Sequence, residues 1–201
     1  KIQGEFRHLD KRDLERHTVG LVSGGFFSID LDVIRKAAEE LPWVAKADIR
    51  RVWPNSIDIR VAEQVPLAKW GTEALVNENG ELFTPSWSSF PDDIPVLIGP
   101  PGSVKTVVEQ FQWINQQLAQ IDQSVQVIEL DSKRAWELEL NSGIVVELGR
   151  HDIKQRVERF IRHFQAASSS GKGAIKRVDM RYTNGFSVAW AAPGKAEIKA
   201  S

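Results

Sequence analysis

Polar and apolar residues alternate with period two on both sides of Pro54-Asn55-Ser56, and recur with helical period ahead of that stretch. Ala45, Ala47 and Ile49 alternate with Lys46, Asp48 and Arg50; after the break Ile57, Ile59 and Val61 alternate with Asp58 and Arg60. Period two gives a strand one dry and one wet face, so the two runs predict a hairpin. Leu31, Ile34, Ala38 and Leu41 fall instead at helical spacing, with Ser28 or Asp30 as N-cap and a stop at Pro42, which lacks an amide hydrogen. Asp10 predicts a shorter helix over Lys11–Val19, ended by Gly20 with Gly24-Gly25. Residues 2–6 read as a strand at the start of the chain, which suggests a domain cut from a longer protein. The order strand, helix, helix, strand, strand over 1–68 is an α+β unit whose helices cover one face of a three-stranded sheet.

From Ala68 the texture changes to short strands and turns. Pro66–Trp70, residues 74–76 and residues 81–84 predict strands, the last two flanking the Asn77-Glu78-Asn79-Gly80 turn. The proline-rich stretch 85–101 reads as an ordered loop holding one strand, Val96-Leu97-Ile98. Ser103 opens an amphipathic helix striped by Val104, Val107, Val108, Phe111, Ile114, Leu118 and Ile121. Strands are predicted over Val125–Leu130, Trp136–Leu140 and 144–148, the last two joined by Asn141-Ser142-Gly143. A second helix starts at Asp152, with Gln155 placed for a capping box and Ile153, Val157, Phe160, Ile161 and Phe164 facing inward. Two final strands, 175–181 and 186–190, flank Thr183-Asn184-Gly185, and 193–201 reads as a disordered tail. The expected divisions are therefore 1–68, 69–192 and the tail 193–201. Because nothing but that tail follows the last strand, it is expected at a sheet edge, where its backbone can receive a partner strand.

Composition narrows the function classes. Of 201 residues 42% are hydrophobic, and 26 basic against 27 acidic groups leave a net charge of −1, so neither general disorder nor a nucleic-acid field is indicated. With no cysteine there is no disulfide, thiolate metal site or thiol catalysis. No run reaches the ~20 apolar residues of a membrane span. His8, His17, His151 and His163 stand in unrelated contexts and form no metal motif. Ser170-Gly171-Lys172-Gly173 follows a helix and lacks phosphate-loop spacing. No catalytic residue, metal site or cofactor is assigned. Trp53, Trp136 and Trp190 occupy strand positions that predict core packing. Arg50, Arg51 and Arg60 read either as the wet face of the hairpin or as a charged edge selecting a partner. Lys154, Arg156, Arg159 and Arg162 give the last helix a basic outer side, with no function inferred.

Several short fragments, in this order and spacing, resemble the FtsQ/DivIB family of bacterial cell-division proteins across essentially the whole chain. They are Gly25-Phe26-Phe27, Leu41-Pro42-Trp43, Trp53-Pro54, Val65-Pro66-Leu67-Ala68, Gly99-Pro100-Pro101-Gly102-Ser103, Arg134-Ala135-Trp136, Leu148-Gly149-Arg150 and Val178-Asp179-Met180-Arg181-Tyr182, with Gly185 and Trp190. The resemblance implies a POTRA (polypeptide-transport-associated) domain of β-α-α-β-β order, then a β domain of mixed and antiparallel strands with two amphipathic helices. It further implies a non-catalytic divisome scaffold on the periplasmic face of the inner membrane at the septum, anchored by an N-terminal helix absent here. Its implied partners are FtsB and FtsL, FtsK and other divisome proteins, with no nucleic acid.

By the same resemblance Lys46, Asp48, Ile49 and Arg51 form the recruitment and FtsK edge. Tyr182, Asn184, Gly185, Phe186 and Trp190 lie at the FtsB-binding strand, with Arg134 and Arg181 placed to pair with acidic groups of the partner. Thr183-Asn184 departs from the family's Asp-Ser at this point, so the contacts of those two side chains do not carry over. A second class shares the module: transport or outer-membrane assembly proteins, whose POTRA domains receive unfolded strands. A membrane helix before Lys1 would mark the first class, a β-barrel after Ser201 the second.

Overall fold

The computed structural model describes residues 2–4, 6–22, 29–171 and 173–191. Gly24-Gly25, Phe26-Phe27, Ser28, Lys172 and the expected tail 193–201 lie outside the described residues. The chain divides into two compact units. One comprises Lys1–Leu67 with Glu73–Glu78 and Leu82–Asp92, the other Ala68–Thr72 with Asn79–Glu81 and Asp93–Ser201.

In the first unit β1 (Ile2–Gln3), α1 (Lys11–Val19), α2 (Leu31–Glu39), β2 (Val44–Val52) and β3 (Ser56–Glu63) follow in order. Asp10 and Asp30 cap the helices by accepting the amides of Arg12 and Asp32, orphan donors that every helix start leaves. The sheet runs β1-β3-β2, with β1 parallel to β3 and β2 antiparallel to it. Helix α2 packs on β2, and Leu14, Ile34, Ala38, Ala47, Ile59 and Val61 form the core. Trp43 is buried there, stacked on His8 at 4.2 Å and edge-on to Phe83 at 5.4 Å.

Three expectations about this hairpin need correction. Ala45 is exposed, because the register shifts between Val44 and Lys46 and a bulged residue drops out of the alternation. Asp58, expected on the wet face, is only 4% exposed. Its carboxylate is covered by Arg50 and Arg60, with nitrogen to oxygen distances of 2.8 and 3.5 Å. Trp53, expected in the core, is 83% exposed because it sits in the turn between β2 and β3 instead of within a strand.

The second unit contains the larger part of β4 (Pro66–Trp70), then β7 (Val96–Ile98), α3 (Val104–Leu118), β8 (Val125–Leu130), β9 (Trp136–Leu140), β10 (Val145–Gly149), α4 (Ile153–Ser168), β11 (Ile175–Asp179) and β12 (Ser187–Trp190); β5 (Ala74–Asn77) and β6 (Leu82–Phe83) belong to the first. Its strands run in the order β12-β11-β10-β9-β8-β7-β4. The pairs β7 with β8 and β10 with β11 are parallel, each bridged by a helix, because a parallel return needs a crossover. The other consecutive strands from β8 to β12 pair antiparallel. Val107, Ile114 and Leu118 of α3 and Val157 and Phe160 of α4 are buried, as are Leu97, Ile128, Val146 and Leu148 of the sheet. Trp136 is buried as expected, while Trp190 is half-buried. Asp152 does not form the expected capping box: its backbone is left-handed (φ 55°) and its side chain makes no cap bond.

Candidate protein-interaction surfaces

On β2 the four expected residues share a strand but divide between its faces. The amide of Ala47 turns away from β3 and donates to Glu39 Oε1 at 3.1 Å. By the alternation of an antiparallel ladder, the backbone of Ile49 and Arg51 also lies along the outer edge. Their side chains share the face of buried Ala47, whereas Lys46 and Asp48 belong to the opposite face. Ile49 is half-buried and the other three are exposed. The Arg51 guanidinium donates to the Ile29 carbonyl just before α2. Arg50 and Arg60 neutralise Asp58, so this hairpin does not present three free arginines.

The second surface is the β11–β12 hairpin, at the end of the strand order. Ala191 donates its amide to the Ala174 carbonyl at 2.8 Å, which fixes the ladder's parity: Val188 and Trp190 turn their backbone groups outward, along the edge. Arg181, Tyr182, Thr183 and Asn184 are exposed, Tyr182 to 57%. Gly185 and Phe186 are half-buried, the Phe186 ring lying 5.7 Å from that of His163 on α4. A Cβ added at Gly185 would meet no atom within 4 Å. The contiguous set from Arg181 to Trp190 is thus gathered on one hairpin.

Arg134 belongs to a different place, the turn between β8 and β9, where it is exposed with φ 66°. Residues on either side of it, Asp131 and Ala135, border a cavity of about 330 Å³ that Arg181 also lines. Arg134 itself is not among the lining residues. The other walls are Glu129, Trp136, Glu137, Glu147 and Gly149.

The register of the sheet brings Glu129, Glu137, Glu147 and Asp179 into one cross-strand row. Like charges directly opposite destabilise a sheet, and two arginines offset the cost here. Arg177 pairs with Glu137 and Glu147; Arg181 Nη2 lies 2.7 Å from both Glu147 Oε2 and Asp179 Oδ2. The bonds from Arg181 hold the Asp179 carboxyl below the usual carboxylate range, while the bond to Asp179 raises Arg181 further above its ordinary value. The hydrogen bond to Glu147 raises Arg177 likewise. This face therefore offers a partner charged groups already engaged with one another, beside an open strand edge and an exposed tyrosine.

Two helix arginines without a distinctive sequence signal hold this hairpin. Arg156 donates to the carbonyls of Leu148 and Arg181, and Arg159 to those of Met180, Tyr182 and Thr183. The only signal was the i, i+3 spacing of two arginines on a helix, which equally describes a solvated face. Among the described residues no cluster could hold a metal ion, and no helix is long and apolar enough to cross a membrane.

A β-α-α-β-β unit followed by a mixed sheet with two crossover helices defines a POTRA domain joined to a β domain. A family model described as POTRA domain, FtsQ-type, matches residues 1–64, and one described as cell division protein FtsQ/DivIB, C-terminal, matches residues 68–181. A protein named cell division protein FtsQ from Coxiella burnetii is 35% identical over 190 residues, which cover 94% of this chain and 78% of that relative. One of the same name from Nitrosospira multiformis is 37% identical over 183 residues, 91% of this chain and 76% of the relative. The protein so named from Burkholderia pseudomallei is 34% identical over 192 residues, with 94% and 77% covered. The chain belongs to the FtsQ/DivIB family of cell-division proteins, and its role lies in the divisome.

Proposed function

We propose that the chain is a non-catalytic scaffold of the divisome, acting on the periplasmic face of the inner membrane at the septum. In this reading the β11–β12 hairpin captures a strand of FtsB, and through it FtsL, while the β2 edge serves recruitment and contact with FtsK. One observation carries the proposal: the outward backbone of Val188 and Trp190 runs along a sheet edge beside exposed Tyr182, with open space at Gly185. Added strands gain affinity from such backbone groups and selectivity from side chains along the edge. Membership of a cell-division family favours this reading over a transport module that receives unfolded strands.

Calorimetric titration of the chain with a peptide from the membrane-distal part of FtsB tests it. Gly185→Glu places a charged side chain where the partner backbone approaches, and Tyr182→Ala removes a rigid aromatic anchor. Losing such an anchor costs on the order of 2 kcal/mol, more than tenfold in affinity. Both sites are accessible enough for the variants to fold. Unchanged affinity in both folded variants rejects this surface.

A further inference from the structure

We propose that Arg159 and Arg156 of α4 are positioning residues of the partner site, forming a two-arginine clasp that presets the 180–183 segment for an incoming extended strand. The inference rests on the reading that the β11–β12 hairpin is that site. Arg159 Nη1 donates to the Thr183 carbonyl at 2.8 Å, and its Nη2 to those of Tyr182 at 2.9 Å and Met180 at 3.2 Å. Arg156 Nη2 takes the remaining carbonyl, that of Arg181, at 3.1 Å, while its Nη1 reaches Leu148 O at 2.6 Å. Four consecutive carbonyls just past the end of β11, where the Met180 amide still bonds the Glu147 carbonyl of β10 at 2.9 Å, are thus held by two guanidinium groups one helical turn apart.

The arrangement needs arginine specifically. A guanidinium presents its donors in a rigid planar fork, so one side chain can fix several acceptors at once; an ammonium is a point charge on a flexible stem. Gly149 makes room for the clasp, since a Cβ there would lie 2.8 Å from Arg156 Nη1 and 3.0 Å from Arg181 Cγ. Met180, fully buried, anchors the inner end of the segment. With its carbonyls held from the helix side, the segment displays Arg181 and Tyr182 to solvent. A preset segment has less ordering to complete on binding, which raises affinity.

The test is the same peptide titration with Arg159→Lys, alone and combined with Tyr182→Ala, together with amide relaxation of residues 181–184 in the free protein. Arg159→Lys keeps the charge and most of the stem, so the fold is expected to persist. Expected results are increased nanosecond mobility at 181–184 and about tenfold weaker binding, a loss that shrinks markedly in the Tyr182→Ala background because the clasp acts through that ring. Should Arg159→Lys fail to fold, Arg156→Lys is measured in its place with the same criteria. Wild-type affinity in the folded variant, or an equal loss in both backgrounds, overturns the clasp while leaving the site standing. No binding by the wild-type chain overturns the site itself, and the clasp's role with it.

Discussion

Arg50 stands directly opposite Asp58 across the β2–β3 ladder and donates to its Oδ2 from Nε at 3.0 Å and from Nη2 at 2.8 Å. Arg60 reaches the same oxygen at 3.5 Å, so one buried carboxylate answers two half-exposed cations. The pair turns the basic side of the hairpin into a structural device.

Asp58→Ala leaves both arginines without this partner and should destabilise the protein by about 2 kcal/mol, the usual effect of breaking a charged hydrogen-bonded group. Arg50→Ala should cost at least as much, about 2 kcal/mol or more, because it leaves the buried Asp58 carboxylate with Arg60 at 3.5 Å in place of a two-nitrogen contact. Urea unfolding of the two variants measures both; a negligible loss in Arg50→Ala would contradict the arrangement.

Glu63 tethers the segment that enters α1. Its carboxylate accepts the amides of Arg7 at 2.7 Å, His8 at 2.6 Å and Leu9 at 2.9 Å. Glu63→Ala should lower stability by about 2 kcal/mol and release those three amides. Hydrogen exchange is the check, with protection lost at residues 7–9 and retained in β2 and β3.

Asp179 predicts an acid response with a definite sign. Its carboxyl is held below its ordinary value of 3.8, chiefly by the Arg181 side chain, so its stabilising contribution is present above that value and lost as pH falls through the lowered one. Arg181 is 59% exposed, which limits the contribution to under about 1 kcal/mol. Unfolding of wild type and Asp179→Asn from pH 6 to pH 2 should give converging stabilities at the acid end. Parallel curves would contradict the assignment.

The proposed recruitment role of the β2 edge is tested at Ile49, half-buried on the outer strand. Ile49→Glu should cost about 1 kcal/mol of stability and impair recruitment to the septum. Thermal unfolding establishes that the variant is folded, and septal localisation of the tagged protein is the readout; normal localisation of a folded variant would exclude this edge.

Elements whose cause is local are legible in the chain alone. The helix over Lys11–Val19, its Asp10 cap, the stripe from Val107 to Ile121 and the strands Val125–Leu130 and Trp136–Leu140 fall at the predicted residues, because period and capping act within a few positions. Fragment order and spacing also point to the family. The remaining features depend on pairing between distant residues and emerge only in the fold. The bulge at Ala45 exists in relation to Glu63 and Ala62, and the burial of Asp58 depends on Arg50 across the ladder. Trp53 carries no local mark separating a turn from a strand end. Asp152 has the residue type of a cap but not its backbone angle. The carbonyl clasp of Arg156 and Arg159 spans as many as 25 positions, and Arg134 lies on another turn from the hairpin with which the resemblance groups it. Side-chain types and spacing encode periodicity and caps; which donor meets which acceptor is set by strand register and helix crossover, and those arise only when the whole sheet assembles.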